Sequence, residues 1–278
     1  LQTAAAPSEA LPKDARNSVV CFDRVTFSYK NAGAPSLTDV SFTARPGQTI
    51  GIIGGTGSGK STLVNLISRA YDASDGAVYV DGIDVRSYSR ADLCQKVGTV
   101  AQRSQLFKGS IRENLLWGNE NADDDALWRA LTIAQAKDVV EAKPGKLDFK
   151  LEQNGGNLSG GQKQRLSIAR TLVKKPEILI LDDSSSALDF ATDAALRKAI
   201  ASLSGVTTFL VSQRIAGIRE ADRILVLDNG HLVGSGTHDA LMRECDAYRE
   251  IYFSQFPEER AAFEGSDKNG KERVGHEE

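Results

Sequence analysis

The run Gly54-Gly55-Thr56-Gly57-Ser58-Gly59-Lys60-Ser61-Thr62 constrains the fold more than any other part of the chain. It follows the apolar segment Thr49 to Ile53 and precedes Ser61 to Ala70, where Leu63, Leu66 and Ile67 recur at helical spacing. The pattern G-x-x-x-x-G-K-S between a strand and a helix reads as a phosphate-binding loop. Glycines let the backbone curl until consecutive N–H groups point inward at phosphate oxygens, and the helix start adds its positive end. Lys60 is expected to reach the β- and γ-phosphates, and the Ser61 hydroxyl to ligate Mg²⁺. A strand feeding such a loop commits the chain to an α/β fold.

The remaining pattern agrees. Val19 to Phe27 has strand character, and Ala77 to Val80, flanked by Asp75-Gly76 and Asp81-Gly82, reads as short antiparallel pairing. From about 103 to 170 helical patterns dominate, including Ala122 to Ala136 and Gln162 to Val173. Three short apolar runs follow, Ile178 to Leu181, Thr207 to Val211 and Arg223 to Leu227, with a helical segment at Ala191 to Leu203. Strands alternating with helices predict a largely parallel sheet. Residues 1–16, rich in Ala, Pro and polar residues, read as a linker or tether, 17–257 as the folded unit, and 258–278 as a flexible charged tail.

Composition excludes more than it assigns. A formal net charge of -3 gives no electrostatic support for nucleic-acid binding. Apolar runs are too short to cross a bilayer, and the first ten residues lack the layout of a signal peptide. Three widely spaced cysteines, Cys21, Cys94 and Cys245, suggest neither a disulfide framework nor a metal site and fit a reducing compartment. Leu1 in place of Met suggests a fragment of a longer chain.

Two further clusters complete the chemistry. Ile178 to Leu181 delivers Asp182 and Asp183 to the carboxyl end of a buried strand, where open α/β sheets place their ligands, and a carboxylate there can hold Mg²⁺. Leu158-Ser159-Gly160-Gly161-Gln162 reads locally as a loop and N-cap before a helix. A hydroxyl, glycine N–H groups and a helix start also make a second anion cradle.

In this order and spacing, the phosphate loop, the Leu158 to Gln162 run and the Asp182-Asp183 strand end resemble the ATP-binding cassette of ABC transporters. The resemblance spans about residues 18 to 255. It implies a P-loop NTPase core with a mostly parallel sheet, an antiparallel β subdomain and an inserted α-helical lobe at about 103–170. It also implies ATP and Mg²⁺ as ligands, with a second cassette and the transmembrane domains of an exporter as partners. Two such cassettes sandwich two ATP molecules head to tail, so Ser159 and Gly161 would serve the partner's nucleotide. By the same resemblance Tyr29 stacks on adenine, and Gln102 senses Mg²⁺ and the attacking water in the loop that couples to the membrane helices. Leu106 to Asn114 is exporter-like, and Ser186-Ala187-Leu188-Asp189 is the loop crossing the dimer interface. His238, in Gly236-Thr237-His238, is expected to be structural. The implied location is the cytoplasmic face of the cell membrane.

Two positions depart from the family pattern. Asp183 stands where the family has its catalytic glutamate, and Gln213 where it has the switch histidine. Asp is one methylene shorter, roughly 1 Å of lost reach, and misplacement on that scale can cost on the order of 10²-fold in rate. Gln213 can donate a hydrogen bond but carries no charge. The pair resembles the degenerate half of heterodimeric exporters: ATP binding retained, hydrolysis weak, and an intact signature completing a partner's site. Two alternatives stay open: a homodimeric exporter cassette with slow turnover, and a non-hydrolytic ATP-binding regulatory module. A cassette acting on DNA or ribosomes is disfavoured by the charge and by the exporter-like stretch.

Overall fold

The computed structural model describes residues 17–184, 187–261 and 263. The expected linker lies outside them, as does the expected tail beyond Phe263, and Ser186 of the interface loop is also outside.

A four-stranded antiparallel sheet, ordered β2-β1-β4-β5, is built from β1 (Val20–Phe27), β2 (Leu37–Ala44), β4 (Asp75–Val80) and β5 (Ile83–Asp84). The larger sheet has six strands in the order β12-β11-β3-β10-β9-β6. Its members are β3 (Thr49–Gly54), β6 (Val97–Val100), β9 (Ile178–Asp182), β10 (Thr207–Val211), β11 (Arg223–Asp228) and β12 (His231–Gly236). All its pairings are parallel except that of β12 with β11.

The central strands are apolar at nearly every position because both faces are covered. Ile178, Leu179 and Ile180 of β9 are fully buried, and burial of each contributes about 1.5–3 kcal/mol. One face packs against the antiparallel sheet, where Phe42 of β2 meets Phe209 of β10 edge to face at 6.5 Å. Helix α1 (Lys60–Ile67) buries Leu63, Leu66 and Ile67 in that same core, and α2 (Arg90–Lys96) buries Leu93 there.

Helices α3 (Ile111–Leu116), α4 (Asp124–Ile133) and α5 (Lys137–Glu141) form the inserted lobe around a second core, with α6 (Gly160–Val173) running from the lobe back to the sheet. The lobe also contains a small antiparallel pair, β7 (Gly109–Ser110) with β8 (Lys150–Leu151), which a helical pattern does not foresee. After α7 (Phe190–Ala201), the C-terminal α8 (His238–Glu244) and α9 (Asp246–Gln255) close a third core over β11. No helix among the described residues is long and apolar enough to cross a membrane.

Candidate nucleotide-binding site

Every strand that leads into the site does so at its carboxyl end. β3 ends at Gly54, β9 at Asp182, and β10 at Val211, two residues before Gln213. Parallel pairing puts Val211 beside Asp182, and the Asp183 N–H donates to the Val211 carbonyl at 3.0 Å.

The loop from Gly54 to Thr62 needs its glycines for different reasons. A Cβ on Gly54 would lie 2.1 Å from the Leu227 carbonyl oxygen, and one on Gly59 would meet the Ser36 carbonyl at 2.7 Å. Gly57 and Gly59 adopt φ of +80° and +100°, in the range where glycine carries no steric penalty. Gly55, Thr56 and Gly57 form the exposed crest. Inside it, the Lys60 ammonium donates to the carbonyls of Gly54 (2.8 Å) and Gly55 (2.7 Å). Burial lowers the Lys60 pKa, while the nearby carboxylates of Asp183 and Asp182 pull it back up.

The acidic pair divides its work. Ser61 donates its hydroxyl to Asp182 Oδ1 at 3.0 Å, so the two expected Mg²⁺ ligands already stand together. Burial raises the Asp182 pKa, and the Ser61 bond opposes that rise. Gln102 donates from Nε2 to Asp183 Oδ2 at 3.0 Å, bringing together the expected metal and water sensor and the expected base. Asp183 has φ of +45°, a region in which Asp and Asn are enriched among non-glycine residues.

Tyr29 joins this group from the side. Its hydroxyl is 3.0 Å from Thr62 Oγ1, and its ring stands edge to face against Phe27 and Tyr71. Gln213 is at the neighbouring strand end with an exposed side chain; its backbone carbonyl accepts from Gln255 Nε2 at 2.8 Å. No hydrogen bond joins its side chain to Asp183 among the described residues.

The signature turn stands elsewhere. Ser159 caps α6 in a capping box with Gln162, and Leu158 is buried beneath the turn. A Cβ on Gly161 would sit 3.0 Å from the Ala187 carbonyl, so this turn lies against the segment that leads to Asp189. Asp189 caps α7 by accepting from the Thr192 N–H at 2.9 Å, which lowers its pKa. No hydrogen bond links Ser159, Gly160, Gly161 or Gln162 to the phosphate loop among the described residues.

Two features escape a reading of motifs. Gln164, buried on α6, takes a hydrogen bond from Ser104 and donates to the Ala101 carbonyl at 3.4 Å, clasping the loop that holds Gln102 from both sides. Its place two residues after the signature is the available signal. Tyr71 lies beside Tyr29, and nothing in one dimension connects them.

The residues fit a nucleoside triphosphate with Mg²⁺. Phosphates would take the loop N–H groups and Lys60, and the metal would take Ser61, Asp182 and Gln102, few enough protein oxygens to suit an ion that keeps waters and phosphate ligands. When bound, Mg²⁺ neutralises charge on the β- and γ-oxygens.

A phosphate loop at a strand–helix junction with an acidic strand end beside it, and a glycine turn opening a helix of an inserted lobe, define a P-loop nucleotide-binding protein. The chain belongs to the ABC transporter family, which residues 37–186 match. An uncharacterized ABC transporter ATP-binding protein of Mycobacterium tuberculosis is 45% identical over 248 residues, covering 88% of this chain and 42% of the relative. The beta-(1→2)glucan export ATP-binding/permease protein NdvA of Rhodopseudomonas palustris is 42% identical over 249 residues, covering 89% and 41%. A solved structure of a bacterial Atm1-family ABC exporter with ATP bound aligns at a TM-score of 0.81 and 35% identity, covering 85% of this chain and 42% of that one. The chain therefore spans about two fifths of the length of these relatives.

Proposed function

We propose that this chain is the ATP-binding cassette of an exporter, working in a head-to-tail pair with a second cassette at the cytoplasmic face of a membrane. Its own site binds Mg-ATP and hydrolyses it weakly, while Leu158 to Gln162 complete the partner's site. The observation that carries this reading is the separation of the two anion cradles. Ser159 and Gly160 are exposed at a helix start, and no hydrogen bond joins that turn to the phosphate loop among the described residues, which supports a signature that meets a nucleotide held by another subunit. Closure on ATP would drive the transport step, and hydrolysis would reset it. Transmembrane domains fit as further partners. Phe107 and Trp117, stacked at 4.5 Å and respectively 44% and 70% exposed, follow closely on Gln102, and an exposed aromatic patch suits an interaction site.

The residue types at the two positions support weak hydrolysis. Asp183 is one methylene shorter than a glutamate, and the exposed Gln213 offers an amide in place of an imidazole. One observation favours the homodimeric reading with slow turnover: the Asp183 carboxylate does reach Gln102, so it stands within the catalytic cluster. The test is Mg-ATP turnover of the chain beside an Asp183→Glu, Gln213→His double variant. We expect turnover near background for the unmodified chain and a gain on the order of 10²-fold in the double variant. Equal rates would end the degenerate-site reading and leave Asp183 as a working base.

A further inference from the structure

Tyr71 belongs to none of the motifs above, yet it is set beside the phosphate loop with some care. It follows α1 and is 43% exposed. Its ring centroid lies 5.2 Å from that of Tyr29, with the two planes at 85°, and 5.4 Å from that of Phe27. The turn that carries it is fastened to the end of β1 that carries Tyr29. The Ser74 N–H donates to the Thr26 carbonyl at 2.9 Å, Ser74 Oγ accepts from the Ser28 N–H at 3.1 Å, and Arg69 holds Asp72 at 3.0 Å. Tyr29 is fixed in turn to α1 through Thr62. No hydrogen bond engages the Tyr71 hydroxyl among the described residues.

Two half-exposed phenol rings at right angles form a corner at the edge of the phosphate loop. A flat heteroaromatic ring laid on one of them presents its edge to the other. Aromatic rings attract in both geometries, face on face with an offset and edge on face. We propose that Tyr71 is a second base-contacting residue, which with Tyr29 seats the purine of a nucleoside triphosphate whose phosphates occupy Gly54 to Thr62. The proposal rests on the nucleotide-binding reading above and adds to it the residue that closes the base corner.

The competing role is packing alone, with Tyr71 covering Phe27. Binding of two probes to the full chain, by calorimetry with Mg²⁺ present, separates the roles: ATP, and inorganic tripolyphosphate, which has no base. Tyr71→Ala should weaken ATP about threefold to tenfold, the size of an aromatic pair contact, and leave tripolyphosphate within about twofold. Tyr71→Phe keeps the ring and should match the unmodified chain with both probes. An equal loss on both probes, or no loss on ATP, overturns the proposal. Retained tripolyphosphate binding shows that each variant is folded. An unmodified chain that binds tripolyphosphate but gains nothing from the base also overturns it, whereas one that binds neither probe removes the nucleotide-binding reading itself.

Discussion

The phosphate loop and the signature turn differ in where their hydrogen bonds come from. At the phosphate loop, side chains are joined across long stretches of chain: Ser61 to Asp182, Gln102 to Asp183, Tyr29 to Thr62. At the signature, the side-chain bonds stay within one turn of helix, Ser159 with Gln162. The first cradle is thus a product of the whole fold, and its parts already hold one another in place. The second is a helix start whose local needs are met and whose outer surface is free. A site of the first kind is assembled within one chain. One of the second kind, on the reading proposed above, meets a ligand that another body holds.

The largest expected effect probes that difference directly. Ser159→Asp keeps a good N-cap, so α6 should form as before. It places a carboxylate where a partner's γ-phosphate would arrive, and like charges juxtaposed at an interface cost several kcal/mol. ATP-dependent association should fall by about 10²-fold or more, measured by sedimentation velocity or light scattering, while ATP affinity of the separate chain stays within about twofold. A matching loss of affinity in the separate chain would show that the two cradles cooperate within one subunit, and the comparison would break.

Lys60→Ala should act in the opposite way. It removes the one ammonium inside the loop, and a hydrogen bond to a charged group is worth about 1.5–3 kcal/mol, so ATP affinity should drop roughly 10- to 150-fold. Association should then fail only through that lost occupancy and recover at saturating ATP. Persistent failure at saturation would mean that Lys60 also shapes the interface.

The same contrast explains what the sequence could reveal. Local features were legible: the glycine loop needs φ values that its spacing announces, the apolar runs of β9 and β10 appear within a residue of their observed ends, and the N-cap of α6 is written in the Leu158 to Gln162 run. Features made by long-range contact were not. The β7–β8 pair joins segments separated by the whole front of the lobe, and two-residue strands leave no periodicity to detect. Tyr71 and the double clasp of Gln164 depend on which loops the fold brings together. Phe263 carries ordered structure past the expected end of the folded unit at 257, because its ring packs against Phe253, a contact that tail composition hides.

The smallest expected effect guards against taking every buried polar cluster for a site. His238 is buried, with Nδ1 2.8 Å from the Tyr248 hydroxyl, and its ring packs against Tyr252, whose own hydroxyl donates to Glu259 at 2.5 Å. This network ties α8 and α9 together by tertiary contacts, as at the phosphate loop, but it lies in the C-terminal core. Burial first, and the charge of Arg219 second, lower the His238 pKa, with Asp239 and Glu259 opposing. A lowered folded pKa means that neutral His238 stabilises the fold above the ordinary histidine value of about 6.5, and that this stabilisation is lost as pH falls through the folded value. Thermal unfolding should therefore show a midpoint that declines as pH drops below about 6.5, and His238→Gln, which keeps an acceptor for Tyr248, should flatten that decline. ATP affinity at neutral pH should stay within about twofold, because the network holds helices and touches no nucleotide. An unchanged slope in the variant would assign the acid sensitivity to other groups, and a large loss of ATP binding would extend the site to this cluster.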